Sequence, residues 1–339
     1  MKKHTVIAID LAKNVFQVCI LDENGKQTAN KRLSREKLHE FIANQSTALI
    51  AMEACYSSHY WGRAFSEMGH TVRLIPAQHV KPFVRGNKND ANDALAIAEA
   101  AFRPGITPVP IKTLHQQDIQ SCHRIRERLI GNRTALSNQV RGLLSEYGIV
   151  MPAGYASFTK TIADLVGDGD ARLTVAMKSM LIDIYDEFNE LTVRLKKINQ
   201  KIRSFSVEDD RANHLTTIPG IGPVISTAVI SSIGNGSQFK SSKEFAVWLG
   251  VTPRQYSSGE SSYNAGITKR GNRYLRKQLI HGARAALRWC RKRDDGLSRW
   301  ANEIVARRGI HKATVAMAHK LARIAWSMLA NNQTFKPAC

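Results

Sequence analysis

The segments IAID (residues 7–10) and LIAME (residues 49–53) decide the fold of the first hundred residues, and each of them ends in an acidic residue. Short apolar runs bounded by polar residues are typical of buried strands. A charged residue that closes such a strand lies at the carboxyl end of the sheet, where α/β proteins collect their functional sites. The two segments therefore predict a sheet that presents Asp10 and Glu53 at its carboxyl edge.

The residues around these segments extend the α/β pattern. β-Branched residues and turn signals predict further strands, with these bounds: 4–9, 15–21, one after the turn at 23–25, 48–52 and 71–75. Helices are predicted between them, at 35–43 with Ser34 as N-cap, at 59–68, and at 90–101 before Pro104 and Gly105. This order predicts a mixed sheet with helices on both faces.

Two more acidic residues, Asp90 and Asp93, begin the last of these helices at i, i+3 spacing, which places them on one helix face. Each acid alone has an ordinary structural role, such as a turn residue, a surface charge or a helix cap. Together with Asp10 and Glu53 they form four carboxylates at element ends of a basic protein. Carboxylate oxygens are the ligands that Mg²⁺ prefers, and two cations about 4 Å apart can bind the attacking and leaving oxygens of a phosphodiester. The pattern predicts a magnesium site.

The middle of the chain reads as helical, beginning with an amphipathic stretch at 113–147. A later helix carries apolar residues at strict 4-3 spacing: Met177, Leu181, Ile184, Phe188, Leu191, Leu195, Ile198, Ile202 and Phe205. Four heptads of this kind indicate a coiled coil. The seam fits two geometries, helices paired between chains or an antiparallel helical hairpin within one chain.

A third region begins near residue 211. The turn IPGIG (218–222) resembles a helix-hairpin-helix, in which the backbone at Gly220 and Gly222 can hold a phosphate. The alternative is a tight turn that packs one helix on another. A Ser/Gly-rich loop is predicted at 253–266, followed by basic helices to about residue 330. We expect three domains, covering residues 1–108, 109–210 and 211–339.

Charge narrows the class of partner. The 339 residues carry a net charge of +21, and residues 250–339 hold 18 basic against 4 acidic side chains, a net +14. This concentration is typical of nucleic-acid binding. The basic residues are too spread out for a membrane-surface cluster, and no apolar run reaches the ~20 residues of a membrane span. Five scattered cysteines argue against a zinc or disulfide framework, and we expect a cytoplasmic protein.

The predicted Ser/Gly loop contains Ser257, Ser258 and Gly259. Such a loop is by itself an ordinary linker. Five basic residues lie near it in sequence and could hold a phosphate against a serine hydroxyl: Arg254, Lys269, Arg270, Arg273 and Arg276.

The whole set of motifs resembles the IS110 family of insertion-sequence transposases. The resemblance rests on the order of the four acids, then IPGIG, then PRQYSSG (253–259), then ITKRGNRYLR (267–276), and it covers nearly the whole chain. It implies an N-terminal RuvC-like DEDD domain of the RNase H fold, a coiled-coil connection and a C-terminal transposase domain. By the resemblance, Asp10, Glu53, Asp90 and Asp93 bind Mg²⁺. Ser258 is the nucleophile that joins to DNA, with Ser257 as the neighbouring register.

The resemblance also implies partners that composition alone does not show. Members of the family recombine DNA under a structured non-coding guide RNA, and they act as tetramers in which the carboxylate and serine sites meet between protomers. A bacterial, nucleoid-associated location follows from this.

Two other classes remain open at this point. A Holliday-junction type DEDD nuclease would use the same acids without the serine, and a non-catalytic nucleic-acid-binding protein would explain the charge but not the acids. Sugar kinases and chaperone ATPases share an RNase H-like fold, but they need further Gly-rich phosphate loops that do not follow Asp93.

Overall fold

The structure is a computed structural model that describes residues 5–86, 89–167, 171–259 and 261–335. The chain divides into two compact units. The first contains residues 1–115 and 237–240, and the second contains residues 116–236 and 241–339. Within the described residues, no helix is both long and apolar enough to cross a membrane.

The N-terminal unit is built on a five-stranded mixed sheet with the strand order β3-β2-β1-β4-β5. Its elements are β1 (Val6–Asp10), β2 (Val15–Leu21), β3 (Gln27–Ser34), α1 (Arg35–Ala43), β4 (Leu49–Glu53), α2 (Ser58–Glu67), β5 (Thr71–Ile75), α3 (Ala77–Val80) and α4 (Asp90–Ala101). The first three strands pair antiparallel, whereas β1, β4 and β5 are parallel. This arrangement confirms the predicted mixed sheet and is consistent with an RNase H-like fold.

Helices cover both faces of this sheet because its strand residues alternate between two apolar cores. One core joins Ile9 and Met52 to α1 and α2, where Trp61 and Phe65 are fully buried. The other core joins the opposite strand faces to α4. The α4 side of that core consists largely of alanine, which lets the helix lie close to the sheet. Ser34 caps α1 by accepting from the Lys37 backbone N–H, as predicted.

The second unit is mainly helical. Its elements are α5 (Leu114–Ser145), α6 (Tyr155–Gly167), α7 (Val175–Glu208), α8 (Asp210–Leu215), α9 (Pro223–Ile233), α10 (Ser242–Leu249), β6 (Pro253–Ser258), β7 (Ser261–Ile267), α11 (Arg273–Cys290) and α12 (Gly296–Asn331). The stretch predicted as a Ser/Gly loop is therefore a β-hairpin, formed by β6 and β7.

The heptad seam of α7 is filled within the chain. Seven of its nine residues are buried, and six of these seven, all but Ile202, share a core with α5 and α6. The Arg126 side chain of α5 donates to Asn199 of α7 at 2.7 Å, and further along α5 the Arg133 guanidinium lies 5.9 Å from the centre of the Phe188 ring, so the two helices run antiparallel. The ring of Phe188 stacks on Phe158 of α6 at 4.1 Å. This is the helical hairpin, the second geometry that the seam allowed.

Helix α12 is two antiparallel arms rather than one rod. Gly309 has φ 75° and ψ 164°, which breaks the helix between residues 296–308 and 310–331. The Lys320 ammonium lies 4.0 Å from the centre of the Trp300 ring. Twenty residues of continuous helix would separate these side chains by about 30 Å, so the chain must reverse at Gly309.

Candidate active-site residues

Asp10 and Glu53 lie side by side at one edge of the sheet. They end the parallel strands β1 and β4, whose register pairs Ile9 with Met52. Both acids are half-buried. Parallel strands bring their carboxyl ends to the same edge, which confirms the placement expected for these two residues.

Asp90 and Asp93 open α4 one turn apart, but they meet different neighbours. The Asp90 carboxylate is 61% exposed and accepts a hydrogen bond from the Arg32 guanidinium of β3 at 3.2 Å. Asp93 is half-buried. Burial, and then the charge of Asp93, raise the pKa of Glu53 above its usual range. Asp93 therefore belongs electrostatically with Glu53, while Asp90 faces the sheet's outer strand.

The Cys55 thiol lies close enough to Glu53 and Asp10 for its pKa to be affected by their negative charge. Desolvation, followed by the charges of Glu53 and Asp10, raises the pKa of the Cys55 thiol to about 11. Negative charge thus accumulates where β4 ends. Cys55 follows Glu53 by two residues, and that spacing was the only signal available for it in the sequence.

The donor chemistry of this edge fits a hard divalent cation. Its side chains are carboxylates, and the pKa of Glu53 is raised first by burial and then by the charge of Asp93, which a bound cation would offset. Among the described residues, no three Asp, Glu, His or Cys side chains are grouped closely enough to hold a metal ion. The carboxylates are thus the kind of ligand that a divalent cation prefers. Among the described residues, they are not close enough together to form a complete coordination shell.

The two candidate serines lie at the end of β6 and are exposed. The Ser257 hydroxyl is 3.1 Å from the Ser262 hydroxyl on β7, and the two are hydrogen-bonded. Ser258 pairs through the backbone register with Ser261, directly before the tip at Gly259. In the part of the chain that the structure describes, no hydrogen bond engages the Ser258 hydroxyl. Ser258 is therefore the serine whose oxygen is free to meet a substrate.

Packing explains why the serine segment forms strands. The rings of Tyr256 and Tyr263 stack across the hairpin with centroids 5.1 Å apart, and such cross-strand aromatic pairs stabilise antiparallel strands. Gly259 has φ 55° at the tip, where a positive φ suits the tight turn. Nearly the whole hairpin is exposed to solvent, including the serines and glycines that suggested a linker.

The base of the hairpin is held firmly. Gly250 and Gly271 both have positive φ, and a Cβ on either would overlap backbone atoms of Arg270 or Trp248. The Arg276 guanidinium donates to the carbonyl oxygens of Leu249 at 2.9 Å and Arg270 at 2.7 Å. Arg276, predicted to contact nucleic acid, is therefore engaged in holding the two ends of the hairpin together.

The other four predicted cations are exposed, but they lie at the hairpin base and not around the serine. These are Arg254, Lys269, Arg270 and Arg273. Four residues of strand separate Arg254 from Ser258, which is roughly 13 Å at 3.3 Å per residue. Among the described residues, the predicted cations therefore do not surround the serine hydroxyl in the way that the sequence suggested.

The predicted turn between two helices is present, and packing accounts for its glycines. Gly220 has φ +86° between α8 and α9, and a Cβ there would lie 2.3 Å from the Gly282 carbonyl oxygen of α11. A Cβ on Gly282 would lie 2.5 Å from the Gly220 oxygen. The turn and α11 thus touch backbone to backbone. Gly222 is the N-cap of α9, and contact of this turn with DNA stays a prediction.

Two protein-family models match this chain. The family model described as "Transposase IS116/IS110/IS902 family" matches residues 212–297. A DEDD transposase family model, described as "Transposase", matches residues 7–149. A "Probable family 20 transposase" of Pseudomonas aeruginosa is 42% identical over 98% of both chains. The "Transposase for insertion sequence element IS1111A" of Coxiella burnetii is 39% identical over 99% of this chain and 92% of its own. A "Pilin gene-inverting protein" of Moraxella bovis is 22% identical over 98% of this chain and 97% of its own.

Proposed function

This chain belongs to the IS110 family of transposases, and from that membership we propose that its chemistry divides between carboxylates of the first unit and Ser258 of the second. As a transposase it is an enzyme that binds DNA and cleaves and transfers its strands. The observation that carries the proposal is the free Ser258 hydroxyl at the tip of a firmly held hairpin.

Ser258 is proposed to act as the nucleophile. Its oxygen forms a bond to phosphorus while the bond from phosphorus to a nucleoside oxygen breaks. The hydroxyl proton passes to a base, and the departing oxygen receives a proton. A serine hydroxyl is a weak nucleophile at neutral pH, so a neighbouring group must activate it. The adjacent Ser257 is a poorer candidate because its hydroxyl is already hydrogen-bonded to Ser262.

The exposed cations at the hairpin base are proposed to hold DNA on either side of the reacting phosphate. Arg254 lies at the hairpin base, roughly 13 Å along β6 from Ser258, and Arg273 begins α11 after the hairpin ends. Contacts to neighbouring phosphates fix the register of a DNA strand without reading its sequence. They would position the target phosphate at the hairpin tip.

Asp10, Glu53, Asp90 and Asp93 are proposed to hold Mg²⁺. Bound Mg²⁺ would supply Lewis-acid stabilisation of the charge that develops on phosphodiester oxygens. The carboxylates provide negative charge at the edge where β1 and β4 end, and burial, followed by the charge of Asp93, raises the pKa of Glu53 there. The Arg32 guanidinium donates a hydrogen bond to the Asp90 carboxylate.

A guide RNA and a tetrameric assembly complete the proposal, both from the family resemblance. The net +14 of residues 250–339 supports a polyanionic partner and does not distinguish RNA from DNA. The relatives named as transposases and as a gene-inverting protein are compatible with one strand-exchange chemistry used in different reactions.

The proposal is tested by detecting a covalent adduct between the protein and DNA. Wild-type protein, Ser258→Ala and Ser257→Ala are incubated with labelled donor DNA, RNA and Mg²⁺, and denaturing gels detect protein–DNA adducts. Ser258→Ala should abolish the adduct while binding persists, and Ser257→Ala should keep most of it. Loss of the adduct only in Ser257→Ala would move the nucleophile by one residue. Recombination by wild-type protein with no adduct under any trapping condition would favour hydrolysis by the carboxylate site.

A further inference from the structure

A basic cleft lies in the C-terminal unit, between α10 and the two arms of α12. We call it the α12 cleft. It has a volume of about 450 Å³ and is lined by Ser242, Trp300, His319, Lys320, Arg323, Ile324 and Ser327. The motifs that identify the family do not include any of these residues.

Three basic side chains converge on the α12 cleft from one helical arm. His319, Lys320 and Arg323 are all half-buried. Burial, and then the charge of Arg323, lower the pKa of both His319 and Lys320. Among the residues that the structure describes, no ion pair joins a carboxylate to Lys320 or Arg323. Lys320 and Arg323 are therefore neighbouring like charges, and His319, whose pKa is lowered, adds a neutral imidazole beside them.

The opposite wall adds positive potential and polar groups. The Arg323 side chain donates to the Ser242 hydroxyl at 3.3 Å, in the first turn of α10. A helix N-terminus carries partial positive charge that favours a bound anion, and the first turn of α10 contains one acidic residue, Glu244. On the third wall, Trp300 packs against the Lys320 ammonium at 4.0 Å and holds that side chain in the cleft.

We propose that the α12 cleft binds a phosphate group of a DNA strand, as a contact additional to the serine hairpin. The inference rests on the proposed function, because a DNA-processing enzyme meets phosphates as its commonest anion. Lys320 and Arg323 donate to the phosphate oxygens, and the N-terminus of α10 faces the same group. Such a contact fixes the DNA backbone without reading bases.

The first test measures DNA affinity as a function of salt. Full-length wild-type protein, the double variant Lys320→Gln/Arg323→Gln and the matched control Arg307→Gln/Lys312→Gln are titrated with fluorescent duplex DNA. The control removes the same charge from exposed positions on α12. Neutralising one phosphate contributes about 0.9 to the slope of log affinity against log salt. The cleft variant should lose about that much slope and bind roughly tenfold more weakly at moderate salt, whereas the control should change less.

The second test shows whether the cleft binds a phosphate ion and whether the cleft variant is still folded. Thermal unfolding is followed in chloride and in inorganic phosphate at equal ionic strength. Phosphate should raise the melting temperature of wild-type protein and of the control, but not that of the cleft variant. In chloride the cleft variant should melt close to wild type, because the loss of the Ser242 hydrogen bond and the Trp300 contact is offset by the removal of like-charge repulsion.

The possible outcomes distinguish failure of the proposed function from failure of the cleft proposal. If wild-type protein does not bind DNA at all, the proposed function fails. If it binds, but the cleft and control variants lose the same affinity and slope, only the cleft proposal is wrong. If phosphate stabilises wild type selectively while the cleft variant binds DNA normally, the cleft holds a free anion and its assignment to DNA is wrong.

Discussion

At the scale of single residues, two aspartates one helical turn apart have different surroundings. Asp93 is half-buried and adds to the effect of burial in raising the pKa of Glu53, whereas Asp90 is largely exposed and paired with Arg32. A pair of acids at i, i+3 spacing shares a helix face, but the sheet beneath α4 presents a carboxylate to one and a guanidinium to the other. The two should therefore contribute unequally to a cation site.

We predict that Asp93→Asn lowers strand excision from a donor plasmid by about a hundredfold or more, and that Asp90→Asn lowers it by about tenfold or less. The amide keeps the side chain's shape, so folding should survive in both. In Mg²⁺-free buffer Asp93→Asn should melt no lower than wild type, since it removes a charge that opposes Glu53. Equal losses of activity would contradict the distinction between the two aspartates.

At the scale of elements, the seam of α7 is a structural core. Leu195 is 5% exposed and lies in the apolar cluster with α5 and α6. Val193, two residues earlier on the same helix, is 52% exposed. The same substitution at these neighbouring positions thus separates burial within the chain from a role on the surface.

We predict that Leu195→Asp destabilises the helical unit by at least about 3 kcal/mol, because it buries an unpaired charge and removes apolar contacts. Val193→Asp should change stability by about 0.5 kcal/mol or less. Circular dichroism during urea unfolding measures both, and light scattering reports the mass. A folded Leu195→Asp protein of lower mass would instead show that the seam joins chains.

How far the sequence predicts an element depends on where its contacts lie. The strands ending at Asp10 and Glu53 and the cap at Ser34 follow from local patterns, and the structure has them as predicted. The β6–β7 hairpin escaped prediction because its strands are rich in Ser and Gly, and the stacking of Tyr256 on Tyr263 is what holds them. The reversal at Gly309 rests on a single glycine inside a helical pattern.

Contacts between segments that are far apart in the sequence could not be predicted, because local sequence patterns do not show which segments meet. His123 is buried on α5 with its ring nitrogens 2.8 Å from the Tyr274 hydroxyl and 2.9 Å from the Thr227 hydroxyl. Burial, followed by the charge of Arg126, lowers the pKa of His123 to about 4, so the imidazole is neutral at pH 7. Its two contacts connect α5 to α11 and to α9. Its partners lie 151 and 104 residues away. The engagement of Arg276 with two carbonyls was likewise invisible in a run of basic residues.

At the scale of the whole molecule, the proposed chemistry is divided between two compact units. The carboxylates belong to the unit of residues 1–115, and Ser258 belongs to the unit that includes residues 241–339. A homo-oligomer can combine a group from one protomer with a group from another. Whether acid and serine must come from the same chain is therefore a question that mixed oligomers can answer.

We predict that Asp10→Ala and Ser258→Ala proteins, each inactive alone, recover part of the recombination activity when they are co-expressed. A protomer with intact acids would then serve a protomer with an intact serine. The control mixes Ser258→Ala with the double variant Asp10→Ala/Ser258→Ala, which has no serine to contribute and should stay inactive. No recovery in mixed oligomers, shown to form by affinity tags of two kinds, would mean that each chain must supply both groups, and the proposed sharing between protomers would be wrong.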